Sequence, residues 1–212
     1  MTTLTDALAD PRSSARLQAV MAAGTTPDPA DLEVLVAQCA VEPDFFVRDM
    51  LTWALTRHPA DDVVARVLPE LERPEPQARS QALHTLSKIG DPEAWPAVGP
   101  LLEDHDDGVL RAAWRTAVAL VPDDERASLA RTLAVQLGIG DRERRLSLSR
   151  ALVGLGEDTV GPVLAADRGT EAVREHVRET ERLLHDPDAA SALALERARR
   201  EVALGRTRSV KG

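Results

Sequence analysis

The chain has 212 residues, a net charge of −9 at pH 7 and an apolar share of 43%, whereas aromatic residues make up only 2%. The apolar share is ordinary for a globular protein, so disorder is not expected. The scarcity of aromatic residues disfavours an aromatic-lined substrate pocket. The acidic balance disfavours broad binding to DNA, RNA or anionic lipid, because that binding depends on clustered positive charge.

Compartment can be judged from cysteine content and from the apolar segments. The only cysteine, Cys39, excludes an intramolecular disulfide and fits a reducing compartment. The first residues, MTTLTDALADPRSSAR, lack the basic stretch and apolar run of a signal peptide. No apolar stretch approaches the roughly 18 residues that span a membrane. We therefore expect a cytoplasmic protein.

An arginine recurs every 29 to 34 residues along the chain. An apolar residue follows three positions after each of these arginines, and in the four middle copies another follows seven positions after it. These offsets share one face of an α-helix, so each arginine is predicted to lie in an amphipathic helix. The arginines are Arg16, Arg48, Arg79, Arg111, Arg145 and Arg174.

A further apolar segment precedes most of these helices, and the breaks contain Pro or Gly as expected at helix ends. The segments predict first helices over residues 30–41, 61–71, 92–102, 123–137 and 158–166. No segment alternates apolar and polar residues, so strands are not expected. An acid four positions before the arginine predicts a helix start in four copies, at Asp44, Glu75, Asp107 and Asp141. A last helix is predicted over Asp188–Arg208.

The stretch QARSQALHTLSKIGDPEAWPAVGPLLEDHDDGVLRAAWRTAVAL, residues 77–120, resembles the HEAT-repeat family in its short bacterial form, the PBS-lyase HEAT-like repeats. The GDPEAWPAVGPLL segment and the Asp-x-x-x-Arg entry to the next helix carry the resemblance, which extends over about residues 11–186. It implies an all-α, right-handed α-solenoid of about six hairpins over residues 1–187, followed by a capping helix and basic tail over 188–212. Similar proteins include scaffolds, enzyme regulators, bilin lyases and DNA glycosylases.

The resemblance also implies a structural role for the recurring arginine. In such repeats it bonds an acid or a helix terminus in the next repeat and forms a ladder along the stack. Regular spacing argues against catalysis, because chemistry needs one site. The predicted ladder residues are Arg48, Arg79, Arg111 and Arg145.

Positions four or five residues after the recurring arginines would face the groove if the second helices line the concave side, as they do in HEAT-like stacks. We expect them to form a locally basic strip that binds an acidic or amphipathic protein segment. The alternative is a solvated helix face with one partly packed tryptophan. Trp114, on the core stripe, is expected to be buried, and Trp95 to lie in the core. The strip residues are Trp53, His84, Arg115, Arg150 and Arg178.

The sequence shows no pattern typical of catalysis. No two histidines stand three or four residues apart, and Cys39 has no neighbouring ligand type, so no metal or cofactor site is proposed. The resemblance to HEAT repeats implies, as the leading function, a non-catalytic scaffold or adaptor whose partner and oligomeric state the sequence does not specify. One alternative is a HEAT-like DNA glycosylase that would use Asp49 and Trp53, although nucleic acid is disfavoured by charge. The other is a bilin-lyase-like chromophore carrier, disfavoured by the absence of Tyr.

Overall fold

A computed structural model of the protein describes residues 3–166 and 169–186, and within them it contains twelve α-helices, four 3-10 segments and no strand. The expected all-α solenoid class, built from helical hairpins, is confirmed. The helices are α1 (Leu4–Leu8), α2 (Ser13–Thr25), α3 (Leu32–Val41), α4 (Phe45–Leu55), α5 (Ala60–Val67), α6 (Pro76–Ile89), α7 (Trp95–Val98), α8 (Asp107–Leu120), α9 (Arg126–Ala134), α10 (Arg142–Gly154), α11 (Glu157–Leu164) and α12 (Glu171–His185).

The even-numbered helices α2 to α12 are the predicted second helices, and each carries one recurring arginine near its start. The predicted caps are confirmed at Asp44, which accepts the Phe46 and Val47 amides, and at Asp141, which accepts the Arg144 amide. The predicted start of α8 at Asp107 is also correct, although the preceding Asp106 supplies the cap, and Glu75 stands at the N-cap of α6 without a side-chain cap bond. Such caps satisfy amides that have no partner inside the helix.

The first helices of the hairpins are shorter than predicted. The segment expected as one helix over 92–102 consists of the four-residue α7 between 3-10 segments Pro92–Ala94 and Gly99–Glu103. A 3-10 segment over Leu68–Glu72 likewise continues α5. Pro69 and Pro100 lie at the starts of these 3-10 segments, where a missing N–H interrupts the α-helical bonding.

The chain divides into two compact units, residues 1–129 and 130–212. In the first unit α2 packs on α4, α4 on α6 and α6 on α8, so successive second helices are neighbours. In the second unit α10 and α12 pack together, and α11 contacts both. The boundary predicted between residues 187 and 188 stays a prediction, and the expected helix Asp188–Arg208 lies outside the described residues.

Leucine, valine and alanine make up most of the buried core. Trp114 is fully buried as expected, and its indole N–H donates to the Leu102 carbonyl at 3.1 Å. Trp95 is only half-buried, so its expected core position is wrong. Its N–H donates to Glu125 Oε2 at 3.0 Å, which holds the polar edge of the ring toward the surface.

Candidate functional site

The recurring arginines reach back to the linker that precedes their own helix. In four copies one guanidinium nitrogen, Nη1, donates to linker carbonyls five or six residues earlier, at 2.7 to 3.1 Å. These bonds fix the path of the chain into each second helix. The copies are Arg16, Arg48, Arg79 and Arg174.

Two of these arginines also bind a carboxylate in the linker of the next repeat. Arg16 donates to both Glu42 oxygens at 2.8 and 2.6 Å, and Arg79 donates to both Asp104 oxygens at 3.1 and 3.2 Å. Each acid also accepts the backbone amide two residues after it, so the same side chain shapes the turn and ties the repeats. Bidentate arginine–carboxylate pairs of this kind are strong and directional.

Arg48 differs from the expected ladder. Its hydrogen bonds go to the Glu42 and Pro43 carbonyls, at the end of α3, and not to the next repeat. The position equivalent to Glu42, two residues before the cap of the next second helix, is Arg73, a base that pairs with Glu70 and Glu75 instead. The sequence therefore supplies no carboxylate in the next repeat for Arg48 to bind. We call an arginine bound to such a carboxylate a complete rung of the ladder, and Arg48 an incomplete one.

The other two ladder residues also lie at the starts of their helices. Arg111 Nε donates to the Asp107 carbonyl at 3.1 Å. In the second unit, the Arg145 carbonyl accepts from His176 Nε2 at 2.9 Å, and Arg145 Nε is buried without a hydrogen-bond partner among the described residues. The structural role of this ladder stays a proposal, with the first unit supplying its support.

A groove of about 470 Å³ runs across the second helices α4, α6 and α8 of the first unit. We call it the α4–α6–α8 groove. Its floor is α6, with small or polar side chains; α4 supplies an aromatic ring, a base and an acid, and α8 supplies two arginines. The lining residues are Phe45, Arg48, Asp49, Ser80, Gln81, His84, Gly108, Arg111, Ala112 and Arg115.

His84 lies at the centre of the groove's charges. Its Nε2 is 3.9 Å from Asp49 Oδ1 on α4. Desolvation, followed by the positive charges of Lys88 and Arg115, lowers the pKa of His84 below its ordinary value, whereas Asp49 opposes that shift. Desolvation, followed by the charge of Arg111, also lowers the pKa of Arg115, which nevertheless stays charged near neutrality because an arginine starts so high. The α8 wall is therefore a place where positive charges repel one another.

Phe45 lines the α4 end of the groove, and the ring of Phe46 lies beside it. Phe45 is 65% exposed and Phe46 is 71% exposed, and their rings meet edge to face with centroids 5.7 Å apart. The guanidinium of Arg48 lies 5.9 Å from the Phe45 ring centroid. Because Arg48 is also held by two carbonyls, the Phe45 ring rests against a fixed cation.

The structure brings only two of the five predicted strip residues into this groove, His84 and Arg115. Trp53 is half-buried and packs its ring against Gly24 of α2, where any Cβ would collide with it, and it does not line the groove. Arg150 and Arg178 are exposed in the second unit, where Arg178 pairs with Glu171 at 2.8 Å. A single strip containing all five stays a proposal.

Sequence reasoning missed Phe45 and the groove-lining position of Arg48 and Arg111. A signal for Phe45 existed, because the position three residues before the ladder arginine holds Pro76, Gly108 and Arg142 in other copies, none of them a core residue type. The tight approach of Trp53 to Gly24 had no such signal, since the two residues belong to different repeats.

The geometry does not support the glycosylase alternative. That hypothesis pairs Asp49 with Trp53 in one cleft, whereas Asp49 lines the groove and Trp53 packs against Gly24 outside it. Among the described residues, no group of three His, Cys, Asp or Glu side chains could hold a metal ion, and no helix is long and apolar enough to cross a membrane. Burial raises the pKa of the Cys39 thiol to about 12, so it is not a nucleophile near neutral pH.

Comparison with known proteins identifies the repeat type. A family model described as HEAT repeats matches residues 43–119 and 64–149, which together span half of the chain. Two crystal structures of engineered proteins from the Northeast Structural Genomics Consortium are similar, with 17% and 16% identity and a TM-score of 0.45 each. They cover 86% and 84% of this chain and 95% of their own. No curated protein matches the sequence.

Proposed function

Because the chain belongs to the HEAT-repeat family, whose repeats generally mediate protein–protein interaction, we propose that it is a non-catalytic scaffold or adaptor that holds a segment of a partner protein in the α4–α6–α8 groove. The partner segment is acidic or amphipathic. The expected compartment is the cytoplasm, on the strength of one buried cysteine.

One observation carries the proposal, namely a cationic groove on an acidic chain. Arg48, Arg111 and Arg115 line the groove together with His84, against the single carboxylate of Asp49, whereas the chain as a whole has a charge of −9. Such a local reversal of sign attracts an acidic segment. Small side chains at Gly108 and Ala112 let a peptide backbone approach α8 closely.

The test selects binding segments directly, so it does not require the partner to be identified first. A random peptide library is displayed on phage and panned against the full chain, and enriched peptides are titrated into isotope-labelled protein by NMR. We expect perturbed amides around His84 and Arg115, and binding that weakens with added salt because exposed charges are screened.

A charge reversal in the groove provides the decisive comparison. Arg115→Glu should weaken the selected peptides by about tenfold or more, since it replaces attraction with repulsion at the binding wall. The matched control is Arg57→Glu, which changes the net charge equally at an exposed position that does not line the groove. No enriched peptide, perturbation elsewhere on the protein, or equal weakening by both variants would contradict the proposed function.

A further inference from the structure

The two ends of the α4–α6–α8 groove differ in chemistry, since α4 presents aromatic rings and α8 presents arginines. Resting on the proposed function, we propose that the groove recognises an extended protein segment at two points, with an apolar side chain packing on Phe45 and Phe46 and a carboxylate binding Arg111 and Arg115. Recognition at two points constrains both the composition and the spacing of the bound segment.

The apolar point rests on the exposure and rigidity of the two phenylalanines. They are the only phenylalanines of the chain, and both are more than half exposed, although phenylalanine is among the residue types most often buried. The contact with Arg48 and the edge-to-face contact between the rings hold Phe45 in place before any ligand arrives. A preorganised ring loses little conformational entropy on binding, which favours its use as an anchor.

The acidic point rests on the opposite wall. Arg111 and Arg115 stand one helical turn apart on α8, so they share one face of that helix. The charge of Arg111 makes that of Arg115 less favourable, and a carboxylate beside the exposed Arg115 offsets that effect.

Asp49 sets the direction of the segment across the groove. This carboxylate belongs to α4 and is 57% exposed, so an acidic side chain at the α4 end would meet a like charge. An acid at the α8 end avoids that repulsion and gains Arg111 and Arg115. The apolar side chain therefore belongs over α4 and the acid over α8.

The helix spacing predicts the distance between the two side chains. Neighbouring packed helices lie about 8–10 Å apart, so α4 and α8, separated by α6, are roughly 16–20 Å apart. An extended chain advances about 3.3 Å per residue, which places the two side chains about five or six residues apart. Adjacent apolar and acidic residues could not reach both walls.

The test uses synthetic peptides with one leucine, a Gly/Ser spacer and two glutamates. The spacers separate the two points by about two, about five or six, and about ten residues. Fluorescence anisotropy with the full chain should give the tightest binding for the middle spacing, by about tenfold over the shortest. Phe45→Ala and Arg115→Glu should each remove that preference, whereas Met21→Ala, which truncates an exposed apolar side chain of α2, should preserve it.

The remaining outcomes separate this inference from the proposed function. Equal affinity for all spacings, in peptides that still perturb groove amides, overturns two-point recognition and leaves the proposed function intact. Absence of groove binding by these peptides and by library peptides overturns both. Tighter binding by at least tenfold when phosphoserine replaces the glutamates overturns the assignment to carboxylates. Dimerisation in sedimentation that Phe45→Ala abolishes assigns the rings to a second copy of the chain and overturns the inference as well.

Discussion

The two units of the molecule join their helices by different chemistry. In the first unit, Arg16 with Glu42 and Arg79 with Asp104 form ion pairs between successive repeats, with both partners nearly enclosed. In the second unit, α10 and α12 are joined by an uncharged network. His176 Nε2 donates to the Arg145 carbonyl at 2.9 Å and lies 3.1 Å from Ser149 Oγ, which in turn bonds Thr180 Oγ1 at 2.8 Å.

This difference predicts whether a substitution or a mild acidification destabilises each unit more. Removing one member of a buried ion pair leaves the other charge buried alone, at a cost of about 3–5 kcal/mol, whereas removing one neutral partner leaves a neutral polar group unsatisfied, at about 1–3 kcal/mol. The ion pairs keep their charges until the pH reaches the carboxylate range, but an imidazole can gain a proton near pH 6.5. Substitution should therefore damage the first unit more, and mild acid the second.

The largest effect is expected from Glu42→Ala. Glu42 is fully buried and accepts hydrogen bonds from Arg16, from Gln38 Nε2 at 2.9 Å and from the Asp44 amide at 3.0 Å. Without it the Arg16 guanidinium is left buried and unpaired, so the free energy of unfolding of the first unit should fall by about 3–5 kcal/mol. Urea unfolding followed by tryptophan fluorescence measures this directly, because all three tryptophans belong to residues 1–129.

Two further variants sharpen that result. Glu72→Ala, at an exposed position, should change the free energy of unfolding by no more than about 0.5 kcal/mol. The double variant Arg16→Met with Glu42→Leu removes both charges together and should recover much of the loss, because no charge is left buried alone. A single variant as stable as the wild type would show that this ion pair does not hold the repeats together.

A medium effect should separate the complete rung from the incomplete one. Arg79→Ala removes bonds to both Asp104 oxygens and to two linker carbonyls, so it should lower the free energy of unfolding of the first unit by about 1–3 kcal/mol. Arg48→Ala removes carbonyl bonds and the contact with Phe45, and should cost only about 1 kcal/mol. Equal losses in the same fluorescence experiment would mean that the carboxylate adds nothing.

The fold was largely predictable from the sequence because the same local sequence pattern recurs in each helical repeat. The arginine register identified the second helices, and the acids at Asp44 and Asp141 marked their starts. The first helices were predicted less well. Proline does not merely end a helix there, since around Pro69 and Pro100 it converts the last turn to 3-10 geometry.

The candidate site was predictable only where it depended on helical phase. His84 and Arg115 follow from their offset to the arginine, and both line the groove. Trp53 has the same helical phase as His84. Because Gly24 has no side chain, however, the Trp53 ring packs against α2 at that position. The broken rung at Arg48 likewise depends on Arg73, a residue 25 positions away. Contacts between repeats, and not periodicity within them, decided these positions.

The smallest expected effect is the acid sensitivity of the second unit. His176 is fully buried, and its Nδ1 accepts the Gly138 amide hydrogen at 3.0 Å, so the folded state requires a neutral ring with its proton on Nε2. Desolvation, with help from the charge of Arg145, lowers the pKa of His176 below its ordinary 6.5, although the bond to the Arg145 carbonyl and the charge of Glu179 oppose the shift.

The sign of the pH effect follows from proton binding. Below about pH 6.5 the unfolded chain takes up a proton on this histidine that the folded unit does not, so stability rises with pH through this range and is lost as the pH falls. In the first unit, burial opposes ionisation of Glu42 and Asp104, but their hydrogen bonds outweigh it and lower both pKa values, so that contribution persists until the pH falls below about 4.

Urea unfolding at about pH 7.5 and about pH 5.5 should therefore separate two probes of the same chain. On acidification, the urea midpoint measured by far-UV circular dichroism, which reports on both units, should fall further than the midpoint measured by the tryptophan fluorescence of the first unit. The comparison is made in a His84→Gln background, because the half-buried groove histidine makes a contribution of the same sign to the first unit. His176→Gln, which keeps a donor and an acceptor at the site, should abolish the difference between the probes. If the urea midpoints from the two probes fall equally in the His84→Gln background, protonation of His176 does not distinguish the units. The two units would then differ only in their ion pairs.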